Sequence, residues 1–239
     1  MTLVLHTASV SDPGLVRANN EDALYAGRRL IAVADGIGGL PAGEVASGIV
    51  IEALASLDGS TPEGGPAAAL SRAVLTANQR IRGAAAADPA RAGMGSTVTA
   101  VLLHGDDLTV VHVGDSRGYL LRQGTLRRLT RDDTYVQMLI DDGLLTAEQA
   151  RTHPQRSLVT SAVQGMDVRP STAMLTGAAG DRLLLCSDGL SDVVTDQAIA
   201  RMLTMYADRQ QCAEHLVKLA HHGGAPDNVS VVIADLVAI

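Results

Sequence analysis

Residues 95–115 read GSTVTAVLLHGDDLTVVHVGD: two apolar, β-branched runs, Ser96–Leu103 and Leu108–Val113, joined by His104, Gly105, Asp106 and Asp107. Valine and threonine suit a pleated surface, and a Gly-Asp-Asp turn between two such runs predicts a β-hairpin. A hairpin pairs its strands antiparallel. Directly downstream, SRGYLLRQGTLRRL (116–129) repeats the design. Strands that follow one another without an intervening helix favour antiparallel sheets over a doubly wound parallel one.

Outward from this centre, two segments share another plan: an apolar run, Asp-Gly, then an amphipathic helix. LIAVADG (30–36) leads through GGLPAG to helical spacing at Val45, Ile49, Val50, Ala53, Leu54 and Leu57, and RLLLCSDG (182–189) leads to a helix near Asp196–Leu203. A lone Asp-Gly between apolar runs marks a hairpin turn. Here the next element is helical, so each carboxylate is expected at a sheet end, where sites are commonly built. Gly65-Pro66 opens a helix carrying Leu70, Val74, Ala77 and Ile81, and Val229–Ala234 reads as a closing strand behind Asp227. Residues 132–158, with a short helix at Tyr135–Ile140, a capping box from Thr146 to Gln149 and an HPQR turn, read as a polar flap.

The chain of 239 residues is read as a single domain, 1–239. Nineteen basic against 26 acidic residues give a formal charge of -7. With Phe and Trp absent and four tyrosines, there is neither a basic stripe nor a stacking platform, so nucleic acid and anionic membrane are excluded as expected partners. The core is expected to be aliphatic. Cys186 and Cys212 form no disulfide framework or zinc spacing, and no apolar run approaches the roughly 18–20 residues of a membrane span. A monomer in a reducing cytoplasm is expected.

Asp35, Asp115, Asp188 and Asp227 each stand at an expected strand end beside a Gly or Pro. If they converge, their mutual repulsion calls for cations, and an all-oxygen set suits Mg²⁺ or Mn²⁺ over zinc. His112 lies three residues before Asp115, hence on the opposite strand face, and reads as a packed histidine; Cys186 reads as core. Ser11–Asp22 gathers Arg17, Asn20, Glu21 and Asp22. Alone, that is a solvated loop with a surface ion pair. Alternatively, Arg17 offers a planar fork for phosphate.

The series RANNED (17–22), VADGIGG (33–39), GMGST (93–97), VGDSR (113–117), CSDGL (186–190) and PDNVS (226–230) resembles, in order, the motifs of the bacterial metal-dependent type 2C (PPM) protein serine/threonine phosphatases. The resemblance spans Ala8–Asp235. It implies an α+β fold, a central sandwich of two antiparallel β-sheets with helices on both sides, and two bound Mn²⁺ or Mg²⁺ ions with a third, weaker one. By the same resemblance Asp35 bridges the two ions, the Gly36 carbonyl binds one, and Asp188 and Asp227 complete the pair. Glu21 holds metal-bound water, Asp22 orients water or assists its deprotonation, and Arg17 binds substrate phosphate. Asp115 and Asp188, with Ser157, bind the third ion. Phosphorylated proteins are the implied substrates, cleaved by metal-activated water, and a Ser/Thr kinase is the implied opponent. One departure stands out: where relatives carry a histidine thought to protonate the leaving group, this chain has Ile37 and Leu40. That leaves a pseudophosphatase, or phosphoprotein-binding module with weak turnover, as the alternative.

Overall fold

The computed structural model describes residues 2–38 and 42–239. In chain order the elements are β1 (Leu3–Asp12), β2 (Ala23–Ala26), β3 (Leu30–Ala34), β4 (Gly36–Ile37), α1 (Ala42–Ala55), α2 (Pro66–Ala87), β5 (Gly95–Ser96), β6 (Val98–His104), β7 (Asp107–Val113), β8 (Arg117–Arg122), β9 (Thr125–Arg128), α3 (Tyr135–Asp141), α4 (Ala147–Arg151), β10 (Ser171–Thr176), β11 (Arg182–Cys186), α5 (Asp188–Ser191), α6 (Asp196–Met205), α7 (Arg209–His222) and β12 (Val229–Ala238). One sheet runs β1-β12-β11-β8-β9 and the other β10-β7-β6-β3-β2, with every pairing antiparallel.

Alternation along each central strand sorts its side chains into two apolar layers. In β3, Ile31 and Val33 face the opposite sheet, whereas Leu30, Ala32 and Ala34 face α1 and α2. In β11, Leu183 and Leu185 enter the same inter-sheet layer, while Leu184 and Cys186 meet Ile199, Leu203, Cys212 and Leu216 of α6 and α7. Both faces of these strands are buried, which is why they read as continuous apolar runs instead of alternating ones. The result is the expected α-β-β-α sandwich. Caps fix where its outer helices begin: the Thr195 hydroxyl accepts from Ala198 N–H, the Asp208 carboxylate accepts from Gln211 N–H, and Pro66 fills the first turn of α2. No helix among the described residues is long and apolar enough to cross a membrane.

Two details depart from the sequence reading. Gly95 and Ser96 do not extend β6; they turn aside to pair with Ile37 and Gly36. Thr97 marks the break, donating its N–H to Asp35 O at 2.8 Å while its hydroxyl accepts from Asp35 N–H at 3.0 Å. In addition, β1 pairs along its whole length with β12, and β10 edges the second sheet; neither segment was anticipated as a strand.

Candidate active site

The four strand-end aspartates lie where the sequence puts them, at one end of the sandwich. Asp35 occupies the break between β3 and β4, Asp115 follows β7, Asp188 opens α5 directly behind β11, and Asp227 precedes β12. Their charges meet. Asp35 is held well above the usual carboxylate range, first by burial and then by Asp22, Asp188, Asp115 and Asp227. Asp188 is raised likewise by burial and by Asp115, Asp192, Asp227 and Asp22. Burial, with Asp132 and Asp192, pushes Asp115 up to about 7. Burial also lifts Asp22 to about 6, although the Ser187 hydroxyl donates to its Oδ2 at 2.8 Å.

Asp22 Oδ1 and Asp188 Oδ1 are closed to solvent and accept no hydrogen bond. Buried acceptors without donors are costly, and hard carboxylates whose ionised form is disfavoured first by burial and then by their neighbours' charges fit a divalent cation of the Mg²⁺ or Mn²⁺ kind. Among the described residues, no three His, Cys, Asp or Glu side chains stand in ready-made coordinating positions. Asp227 is engaged elsewhere: exposed Arg17 donates from Nη2 to its Oδ2 at 2.7 Å. Glu21 is raised by burial, an effect that the Arg17 charge opposes.

Close backbone packing builds the surroundings. A Cβ at Gly36 would stand 2.4 Å from Gly43 O and 2.5 Å from Glu21 O, so only glycine fits beside Asp35. Buried Asn228 ties the N-terminal loop to the turn before β12. Its Oδ1 accepts from Glu21 N–H at 2.9 Å, and its Nδ2 donates to Pro13 O at 3.0 Å and Asn19 O at 2.8 Å. Asn228→Ala leaves those three groups unpaired. It is expected to destabilise the fold by about 2–3 kcal/mol, read as a lower urea midpoint at unchanged slope; an unchanged midpoint would show that water replaces all three bonds.

Between flap and sandwich opens a cleft of about 950 Å³ whose walls include Asp115, Asp132, Asp192, Arg117, Arg128 and Arg156. Arg117 forks onto buried Asp132, with Nε 3.1–3.2 Å from both oxygens and Nη2 2.8 Å from Oδ2. Asp132, Asp192 and Asn228 carry no role in the sequence reading. Asp192 was within reach of it, since four residues after Asp188 on a helix is the same face. The flap has its expected helices α3 and α4 and the reciprocal Thr146–Gln149 cap. Ser157 is exposed and is not among the residues lining the cleft. His112 is buried, with Nδ1 2.8 Å from the Thr99 hydroxyl. Cys186 and Cys212 are free and buried, and burial pushes the Cys186 thiol up to about 12. Leu40 lies outside the described residues.

A four-layer α-β-β-α sandwich with a carboxylate cluster and an arginine at one end defines the class, and the sequence assigns it. The chain belongs to the protein phosphatase 2C family, whose model matches residues 16–223. Among particular relatives, it is 53% identical over 237 residues to the serine/threonine protein phosphatase PstP of Mycobacterium tuberculosis, covering 99% of this chain and 46% of PstP. It thus spans about half the length of that relative. It is 31% identical to the serine/threonine phosphatase stp of Listeria welshimeri, with 97% and 96% of the two chains covered. The crystal structure of the PstP catalytic domain in complex with two manganese ions superposes with a TM-score of 0.93 at 51% identity, covering 99% of this chain and 100% of that one.

Proposed function

We propose that this chain is an enzyme that hydrolyses phosphoserine and phosphothreonine in proteins at a site for two Mg²⁺ or Mn²⁺ ions, with a third, weaker one nearby. The observation that carries the reading is the meeting of Asp22, Asp35, Asp188 and Asp227 beside Arg17, with two carboxylate oxygens that no protein donor reaches. Family membership and the two manganese ions of the PstP catalytic domain support it. In this reading Asp35 bridges the two ions, with the Gly36 carbonyl, Asp188 and Asp227 as their other protein ligands, and Asp115 and Asp188 serve the third.

Bound there, such ions bring the pKa of a shared water from about 15.7 toward neutrality and offset charge on phosphoryl oxygens. Glu21 holds that water by accepting its hydrogen bonds. Asp22, which accepts a hydrogen bond from the Ser187 hydroxyl, orients it or assists its deprotonation. Arg17 exchanges Asp227 for the substrate phosphate, to which its guanidinium presents a two-pronged fork. Neither Cys186 nor Cys212 suits a nucleophile, since both are buried and burial raises both thiols. Phosphorylated proteins are the partners, opposed by a Ser/Thr kinase, and the setting is a cytoplasmic monomer.

The test is hydrolysis of an aryl phosphate and of a phosphothreonine peptide, with Mn²⁺ or Mg²⁺ and after chelation. Activity confined to the metal-loaded protein is expected, and full activity after chelation would overturn the reading. Peptide binding without turnover of either substrate would instead identify a pseudophosphatase, which Ile37 favours. Ile37 also bears on substrate preference. An alkoxide leaving group needs a proton that an activated aryl oxide does not, a contribution of about 10²–10⁴-fold. Ile37→His is therefore expected to raise turnover of the phosphopeptide selectively. Equal effects on both substrates would show that the proton comes from elsewhere.

A further inference from the structure

The root of the flap is clasped to the turn that carries Asp115, and one residue makes the clasp. Asp133 N–H donates to Gly114 O at 2.7 Å, and Asp133 Oδ2 accepts Gly114 N–H at 2.9 Å. The carbonyl of Asp133 also accepts from Thr160 N–H at 2.8 Å, across the bridge between Thr134 and Val159 that closes the base of the flap. The glycine so held is itself constrained. Its φ is +104°, and a Cβ there would come within 2.7 Å of the Thr97 side chain. Asp132 and Thr134 line the cleft; Asp133 does not. Its polar groups go to the backbone on either side of the flap base, and the next residue after its partner glycine is Asp115.

We propose that Asp133 is a positioning residue that locks the flap to the Gly114–Asp115 turn, so that flap placement and the cation affinity of Asp115 change together. The proposal rests on the reading of Asp115 as a ligand of the weakest-bound ion. A residue that fixes a ligand through the hydrogen bonds behind it typically alters metal affinity by about 10–100-fold. Its charge would also attract a cation, so the two effects have to be separated. Asparagine keeps the acceptor and loses the charge; alanine loses both.

The experiment is a calorimetric Mn²⁺ titration of the whole chain as wild type, Asp115→Asn, Asp133→Ala and Asp133→Asn, with amide hydrogen exchange followed at Gly114. Asp115→Asn is expected to remove the weakest binding event. Asp133→Ala should weaken that same event about tenfold, leave the tighter events in place, and speed exchange at Gly114. Asp133→Asn should stay within a few-fold of wild type in both readouts. If Asp115→Asn binds Mn²⁺ as wild type does, the reading of Asp115 falls and the proposal falls with it. If Asp115→Asn loses the event but Asp133→Ala does not, the proposal alone is wrong. Equal weakening by alanine and asparagine would mean that charge, not position, is responsible, and also overturns it. Should Asp133→Ala fail to fold, Asp133→Asn decides: a tenfold loss in that variant refutes the clasp, and near-wild-type binding with a protected Gly114 amide supports it.

Discussion

Asp35→Asn is expected to abolish turnover, by about 10³-fold or more, while raising the melting temperature of the metal-free protein. The first effect follows from the proposed bridging role: an amide cannot supply two charged oxygens to two cations. The second follows from the present geometry. Asp35 is buried among Asp22, Asp115, Asp188 and Asp227, and its ionised form is the disfavoured one. An amide of the same shape carries no charge at any pH, so the metal-free protein should melt higher under conditions where Asp35 would otherwise be ionised among its neighbours. The pH dependence has a definite sign. Asp22 at about 6 and Asp115 at about 7 bind protons more tightly folded than unfolded, so between about pH 4, the ordinary carboxylate value, and pH 7 the native state holds more protons. Stability of the metal-free protein should therefore fall as pH rises through that window. Saturating Mn²⁺ should flatten the fall. Differential scanning calorimetry at pH 5 and pH 8, with and without Mn²⁺, checks all three statements, and a melting temperature lowered by Asp35→Asn would contradict the repulsion argument.

Arg17→Ala is expected to reduce kcat/KM for a phosphothreonine peptide by about 10²–10³-fold, with KM raised and kcat lowered together. A guanidinium that grips the phosphate in the ground state also meets the charge that grows in the transition state. The side chain is exposed, yet its backbone is anchored: Leu15 N–H donates to Ala225 O at 2.9 Å, and a Cβ at Gly14, where φ is +76°, would strike Asp227 O at 2.2 Å. Arg17 is thus held beside the turn carrying Asp227. Lysine should restore only part of the loss, because it offers a point charge in place of a fork. Removing Arg17 also frees Asp227, so Mn²⁺ affinity should stay level or rise. That separates loss of a substrate contact from loss of a metal ligand. Wild-type kinetics in Arg17→Ala would reduce the contact to a surface ion pair.

The aspartates were legible because each combines three local signals: an apolar run, a carboxylate, and a glycine or proline that lets backbone come close. The β6–β7 hairpin was legible from its β-branched runs. What stayed hidden depends on partners far away in sequence. LVLHTASVSD alternates too weakly to announce a strand, and β1 forms because β12 offers it ten residues of antiparallel register. STAMLT sits mostly exposed at a sheet edge, with no buried face to impose a pattern. Asn228 looks like one more turn residue until its amide is seen bridging to Pro13, Asn19 and Glu21. The departure of Gly95 and Ser96 from their strand has the same origin, since it answers to Asp35 and not to its own neighbours.

The pairing of β1 with β12 also sets an order of events in time. Among the described residues, β1 lies at the edge of its sheet with β12 as its one strand partner there. A ribosome therefore releases the first ten-residue strand long before the one that will receive it. Until Val229–Ala238 emerges, β1 remains an open edge able to recruit other chains, and Asn228 has yet to arrive to fasten the loop bearing Glu21. Closure across more than 200 intervening residues makes this pairing entropically costly and slow to form. Refolding from denaturant should accordingly recover secondary structure well before the proposed phosphatase activity, with yield falling as protein concentration rises.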